Sequence, residues 1–244
     1  MEVYHFDDIS YQGPLLDVPN PPPGTPYQEI DDYWHRELLR MNGVAAEEPA
    51  LVEALASPHA TLRGAAAHTL GSLQACAAIA HLREKLADEH DLVGVEAAYA
   101  LGRMAQADGR AALAGFLGHP LNAYLSPPLA AGYLARLGDP RGFAVITQCF
   151  DQQQGGSRML ACKQLLLFAR FQGQPGPDGA PIDVLALFGR ALADPDANFQ
   201  WQALVQIREL PPEQARPLLE DYLAGGPEPQ LRAAVEEALR SLRG

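Results

Sequence analysis

The side chains able to do chemistry in this 244-residue chain are few, and all seven histidines (His5, His35, His59, His68, His81, His90 and His119) lie in its first half. The densest group of metal-ligand types is His81, Glu84, Glu89, His90 and Asp91. It falls at a turn, where a solvated cluster is the ordinary reading. Cys76, Cys149 and Cys162 form no CxxC pair and are odd in number, so neither a disulfide framework nor a cysteine zinc site is indicated. Buried, inert thiols are expected, since Cys149 and Cys162 sit in the apolar runs ITQCF and MLACKQ. Ser157, in GGSR, lacks a nucleophile-elbow setting and GxSxG is absent. GxGxxG and P-loop patterns are missing as well. The expectation is a protein with no catalytic residues, no bound metal and no cofactor.

Such a chain must be read from the elements that would carry a surface. It is long enough to bury a real core. No stretch approaches the ~18 apolar residues of a membrane helix, and MEVYHFDDIS lacks the basic and apolar regions of a secretory signal. A cytoplasmic protein is expected. Arg outnumbers Lys by 16 to 2, a coding bias that points to a GC-rich bacterial genome. The net charge is −12, and residues 1–58 hold eleven Asp or Glu against only Arg36 and Arg40. So acidic a chain repels phosphate backbones, so neither nucleic acid nor an anionic membrane is expected as a partner. A basic protein partner fits better.

The organising feature is a repeat. SPHATLRGAAAHTLGSL and DEHDLVGVEAAYALGRM align closely: a turn leads into Leu62 or Val93, then Ala66-Ala67 or Ala97-Ala98, then Leu70-Gly71 or Leu101-Gly102, then Leu73 or Met104. These spacings place the apolar residues on one helical stripe. Paired alanines let two helices approach closely, and Gly71 and Gly102 would relieve crowding or help to end the helix. An amphipathic helix precedes each such helix, at 50–56, 75–87, 110–117, 142–150, 184–193 and 213–224, giving six pairs. Key positions Leu70, Leu101, Leu134, Leu167, Ile207 and Leu239 are 31, 33, 33, 40 and 32 residues apart. The long interval contains FQGQPGPDGAP, residues 171–181, which a helix would not hold.

Across roughly residues 46–243 this pattern resembles the HEAT family, in particular the short bacterial HEAT-like repeats of the phycobilin-lyase type. Leu62-Arg63 and Leu231-Arg232 match the family's Val-Arg ahead of the alanines, whereas Val93-Gly94 and Phe199-Gln200 depart from it. The resemblance implies an all-α fold, a right-handed α-α superhelix of about six helix pairs at 46–244, with the second helices lining its concave face. Arg63, His68, Tyr99, Arg103, Tyr133, Arg136, Arg158, Lys163, Arg170, Gln200, Gln202 and Arg232 would then meet a partner. Of these, Arg63, Tyr99, Arg103, Tyr133, Arg136, Arg158, Lys163 and Gln202 are the principal candidates. An acidic loop would suit them, and so would the chain's own acidic arm; pairing with carboxylates along the stack is the bland alternative. Ahead of the repeats, residues 1–45 form an irregular Pro-rich arm carrying Tyr4, Phe6, Tyr11, Tyr27, Tyr33 and Trp34, with a short helix over 29–41. The arm is read either as a cap on the first pair or as a binding element.

Among HEAT-like enzymes, hydroxylases of a hypusine precursor bind two irons through His-Glu dipeptides, and this chain has none. HEAT-like DNA glycosylases set aromatic residues and a carboxylate on a basic concave surface. Trp201, Tyr99 and Tyr133 imitate the aromatics, but the charge does not. A phycobilin-type lyase is permitted by the resemblance and supported by no residue. The expected function is a non-enzymatic protein-binding scaffold, either an adaptor or an immunity-type inhibitor of a toxin, with a HEAT-like lyase or glycosylase as the alternative.

Overall fold

In a computed structural model of the chain, the residues described are 18–22, 25–26, 29–120, 125–152, 155–227 and 229–242. The arm aromatics Tyr4, Phe6, Tyr11 and Tyr27 lie outside them. The described residues are all-α: thirteen α-helices and a single isolated extended bridge, Pro175 to Pro181. No helix among them is long and apolar enough to cross a membrane. The chain divides into two compact units, residues 1–119 and 120–244.

In the first unit, α1 (Ile30–Met41) is followed by α2 (Glu48–Ala54), α3 (Ala60–Ser72), α4 (Ile79–Lys85), α5 (Asp91–Arg103) and α6 (Ala107–Phe116). Helix α3 packs on α1, α2 and α5, and α5 on α3, α4 and α6. Both are therefore enclosed on nearly every side, with Leu62–Gly71 and Val93–Gly102 buried throughout. That is why they read as runs of Ala, Gly and Leu rather than as half-polar helices. Gly71 is the tightest point: a Cβ there would lie 2.5 Å from the Ala100 Cα. The backbones of α3 and α5 touch, and the paired alanines beside them have no exposed surface.

Gly71 and Gly102 lie inside the helices and do not end them. The stop comes four residues after each key leucine, where Gln74 and Ala105 take the left-handed conformation at φ 54° and 58°. The next amide then bonds back to the key leucine, Ala75 N to Leu70 O at 3.1 Å and Gln106 N to Leu101 O at 2.9 Å. Together with Gln74 N to Gly71 O and Ala105 N to Gly102 O, this is a Schellman closure. Helix α7 in the second unit ends the same way, with Gly138 at φ 84° and Asp139 N bonded to Leu134 O.

The second unit runs α7 (Ser126–Arg136), α8 (Phe143–Phe150), α9 (Gly156–Leu165), α10 (Val184–Leu192), α11 (Ala197–Ile207), α12 (Pro212–Ala224) and α13 (Pro229–Ser241). Helix α9 packs against both α7 and α11, with α8 and α10 on its outer side and on that of α11 respectively. Helix α10 shows the amphipathic outer type, burying Val184, Leu187, Phe188, Ala191 and Leu192 at helical spacing. Its start is fixed by Asp183, whose carboxylate accepts the Ala186 amide at 3.0 Å. The Pro- and Gly-rich segment holds no α-helix: it closes on itself through Gly173 N to Ile182 O and Ile182 N to Gln174 O, both 2.8 Å. Each unit is thus the layered stack of helix pairs that HEAT-like repeats form.

Candidate functional site

Three helices of the first unit bring charged side chains into one buried cluster. His68 of α3 is the hub, 1% exposed. Its Nε2 lies 2.7 Å from Asp32 Oδ1 on α1, and its Nδ1 lies 2.8 Å from Glu96 Oε2 on α5. Asp32 Oδ1 also accepts from Ser72 Oγ at 2.6 Å and Arg103 Nη1 at 2.8 Å, and Arg103 donates to Ser72 Oγ at 2.8 Å. His35 stacks on His68, ring centroids 3.9 Å apart and planes 11° from parallel. It donates from Nδ1 to the Asp31 carbonyl at 2.7 Å and turns Nε2 toward Glu96 Oε1 at 3.6 Å. Tyr99 closes one side, its ring 5.5 Å from that of His68, with the Arg103 guanidinium 5.6 Å from the Tyr99 ring centre.

The electrostatics follow from this geometry. Burial acts to lower the His68 pKa, but the Glu96 charge and the bonds to Asp32 and Glu96 overcome it and hold the imidazole at about 9. Burial likewise acts to raise Glu96 and Asp32. The histidines offset it at Glu96, and bonds from His68, Arg103 and Ser72 offset it at Asp32, so both carboxyls lie well below their usual range. The two carboxylates are thus paired with an imidazolium and a guanidinium, as charges removed from water need to be.

Only part of this constellation matches what the residue types suggested. His81 and Glu84 are exposed on α4, and the Glu89 side chain is 86% exposed. Asp91 turns to His119, whose Nδ1 is 2.9 Å away. The dense acidic and histidine group therefore does not converge. Among the described residues, the convergent set of possible metal ligands is His35, His68 and Glu96, with one donor atom from each lying within 4.8 Å of the others. Glu96 stands alone in VGVEAAYALG and His68 in GAAAHTLG; a charged side chain inside a run that is otherwise buried was the available signal.

The principal partner-binding candidates are distributed as follows. Arg63 is buried and committed to the stack, donating to Asp88 at 2.7 and 3.0 Å and to the Ser57 and Pro58 carbonyls. Arg158 is buried and paired with Asp194, its guanidinium 3.9 Å from the Phe199 ring centre. Tyr99, Tyr133 and Gln202 are also buried, at 5%, 1% and 7% exposure. Arg136 and Lys163 are half-buried. Arg103, half-buried, is held by Asp32 of α1. The second unit also has an open cleft of about 250 Å³ lined by Gly155, Arg158, Met159, Asp196 and Phe199.

Cys149 and Cys162 are buried, and burial pushes both thiols up to about 12, which leaves them unreactive. Cys76 differs from the expectation: it is exposed, because it opens the short turn Cys76–Ala78 on the outer side. Among the described residues, the large apolar side chains that remain exposed are Leu73, Trp201 and Val205.

Residues 48–126, from α2 to the first residue of α7, match the family model of HEAT repeats. No curated protein matches the chain. Among solved structures, it is similar to the crystal structure of an engineered protein from the Northeast Structural Genomics Consortium. The identity is 18%, the match covers 80% of this chain and 96% of that one, and the TM-score is 0.43.

Proposed function

We propose that the chain is a non-enzymatic protein-binding scaffold that contacts its partner through the second-layer face of α11. The observation that carries this reading is the pair Trp201 and Val205, 47% and 41% exposed and one helical turn apart. On the same helix Phe199, Ala203, Leu204 and Ile207 fill the core, so the exposed pair is surplus to the packing of the unit. Tryptophan is enriched at the energetic centres of protein interfaces.

A partner with a basic surface fits the −12 charge, and attraction of this kind speeds association. Two roles suit it: an adaptor in a bacterial multiprotein system, or an immunity-type inhibitor seated in the cleft of a basic toxin. The test is capture from the native host with the wild-type chain and with the double variant Trp201→Glu, Val205→Glu, followed by calorimetry on the purified partner. A partner held by the wild type and bound at least about a hundredfold more weakly by the variant, roughly 2.7 kcal/mol, supports the proposal. Equal affinity for both overturns it.

A further inference from the structure

His35, His68 and Glu96 are arranged more tightly than a simple ion pair requires. Each histidine anchors one ring nitrogen to an acceptor: His35 Nδ1 to the Asp31 carbonyl and His68 Nε2 to the Asp32 carboxylate, both at 2.7 Å. Each then directs its other nitrogen at the same carboxylate, His68 Nδ1 at Glu96 Oε2 and His35 Nε2 at Glu96 Oε1. That is how metal-binding imidazoles are held: a second hydrogen bond, to a carboxylate or a backbone carbonyl, fixes the tautomer and the ring orientation. The rings lie nearly parallel at 3.9 Å; because an imidazole binds a metal in its own plane, a shared ion requires the more exposed His35 ring to turn out of this stack.

We propose that His35 Nε2, His68 Nδ1 and the Glu96 carboxylate form a binding site for one divalent transition-metal ion of the zinc type. Two imidazoles and one carboxylate form a donor set suited to such ions, and with three protein ligands a fourth position is left for water or another donor. Metal–nitrogen bonds of about 2.0–2.1 Å in a tetrahedral site need donor atoms about 3.4 Å apart. The three atoms already lie within 4.8 Å of one another. His35 has room to close the difference, because its side chain is 22% exposed against 1% for His68 and 7% for Glu96. It also marks the route by which an ion would enter. The ion takes the place of the proton between His68 Nδ1 and Glu96, and that proton is released to water. Since the ligands come from α1, α3 and α5, it would fasten the leading helix to the first two second-layer helices.

The full chain, stripped with chelator and dialysed free of it, is the material for the test. Titration with Zn²⁺ alone is expected to show one equivalent bound per chain, and Co²⁺ in its place to give the visible bands of a four- or five-coordinate ion. His35→Gln should weaken binding at least about tenfold, while His81→Gln, an exposed histidine outside the cluster, should leave it unchanged. X-ray absorption on the zinc-loaded wild type should show two imidazole nitrogens with carboxylate oxygen, a readout independent of how any variant folds. Absence of a bound equivalent overturns the proposal. An affinity that His35→Gln does not change, an equal loss in His81→Gln, or a shell without two imidazoles does so too.

Discussion

The two units solve the same packing problem with different chemistry in their second layers. In both, an arginine near the start of one second-layer helix reaches the turn before the next: Arg63 to Asp88 and Arg158 to Asp194. Beyond that the units diverge. The first unit buries a charged hub, His68 between Asp32 and Glu96, and spends its acidic leading helix on it. The second buries neutral amides, Gln164, Gln202 and Gln206, and leaves Trp201 and Val205 in solvent. One layer thus satisfies its buried charges from within the chain, and the other carries the exposed apolar pair to which the proposed partner contact is assigned. An arginine on a HEAT-like helix is thus no guide to a partner until its carboxylate has been looked for along the stack.

The largest effect should come from breaking the hub. His68→Ala leaves the buried Glu96 carboxylate and the half-buried Asp32 without their shared imidazolium and should cost the first unit about 3–5 kcal/mol, read as a fall in its denaturant midpoint. The transition of the second unit should not move.

The shared arginine brace gives a sharper comparison. Asp88→Asn and Asp194→Asn should each lose roughly 1.5–3 kcal/mol, the range for hydrogen bonds to charged groups. Burial acts to raise Asp88, but the bonds from Arg63 and from the His90 amide keep its carboxyl below the usual range. The unfolded state therefore binds the proton first. The Asp88 contribution is complete above about pH 4 and disappears as pH falls through the depressed folded value. Acid titration of the wild type should show that loss, and Asp88→Asn should show less of it.

Much of the helical layout was legible beforehand, and the reasons are local. Paired alanines at 66–67 and 97–98 marked helices in close contact, and the run 29–41 marked the leading helix seen at Ile30–Met41. Of the two roles open to Gly71, the structure shows the close approach to Ala100, and the left-handed stop falls on Gln74 and Ala105, residues with no turn signature. The hub was not legible as a group: Asp32, His68 and Glu96 are 36 and 28 residues apart and meet only because neighbouring helices stack. The apolar pair on α11 was half-visible. Trp201 stood out by type, but only the structure shows that it faces solvent while Tyr99 and Tyr133 do not.

Smaller effects test these corrections. Gly71→Ala should cost about 1–3 kcal/mol, since its Cβ would collide with backbone that cannot yield cheaply. Ala105→Gly should stabilise the first unit by up to about 1 kcal/mol, read as a higher denaturant midpoint, because glycine holds φ 58° without a Cβ penalty.

The account rests most heavily on α1 belonging to the first unit through the buried hub, and hydrogen exchange on the wild-type chain reads this directly. The amides of Leu38–Met41, in the hydrogen-bonded last turn of α1, are expected to exchange together with those of α3, at the rate of global opening of the unit. Exchange of those amides at the rate of an unstructured peptide, while α3 stays protected, would contradict it.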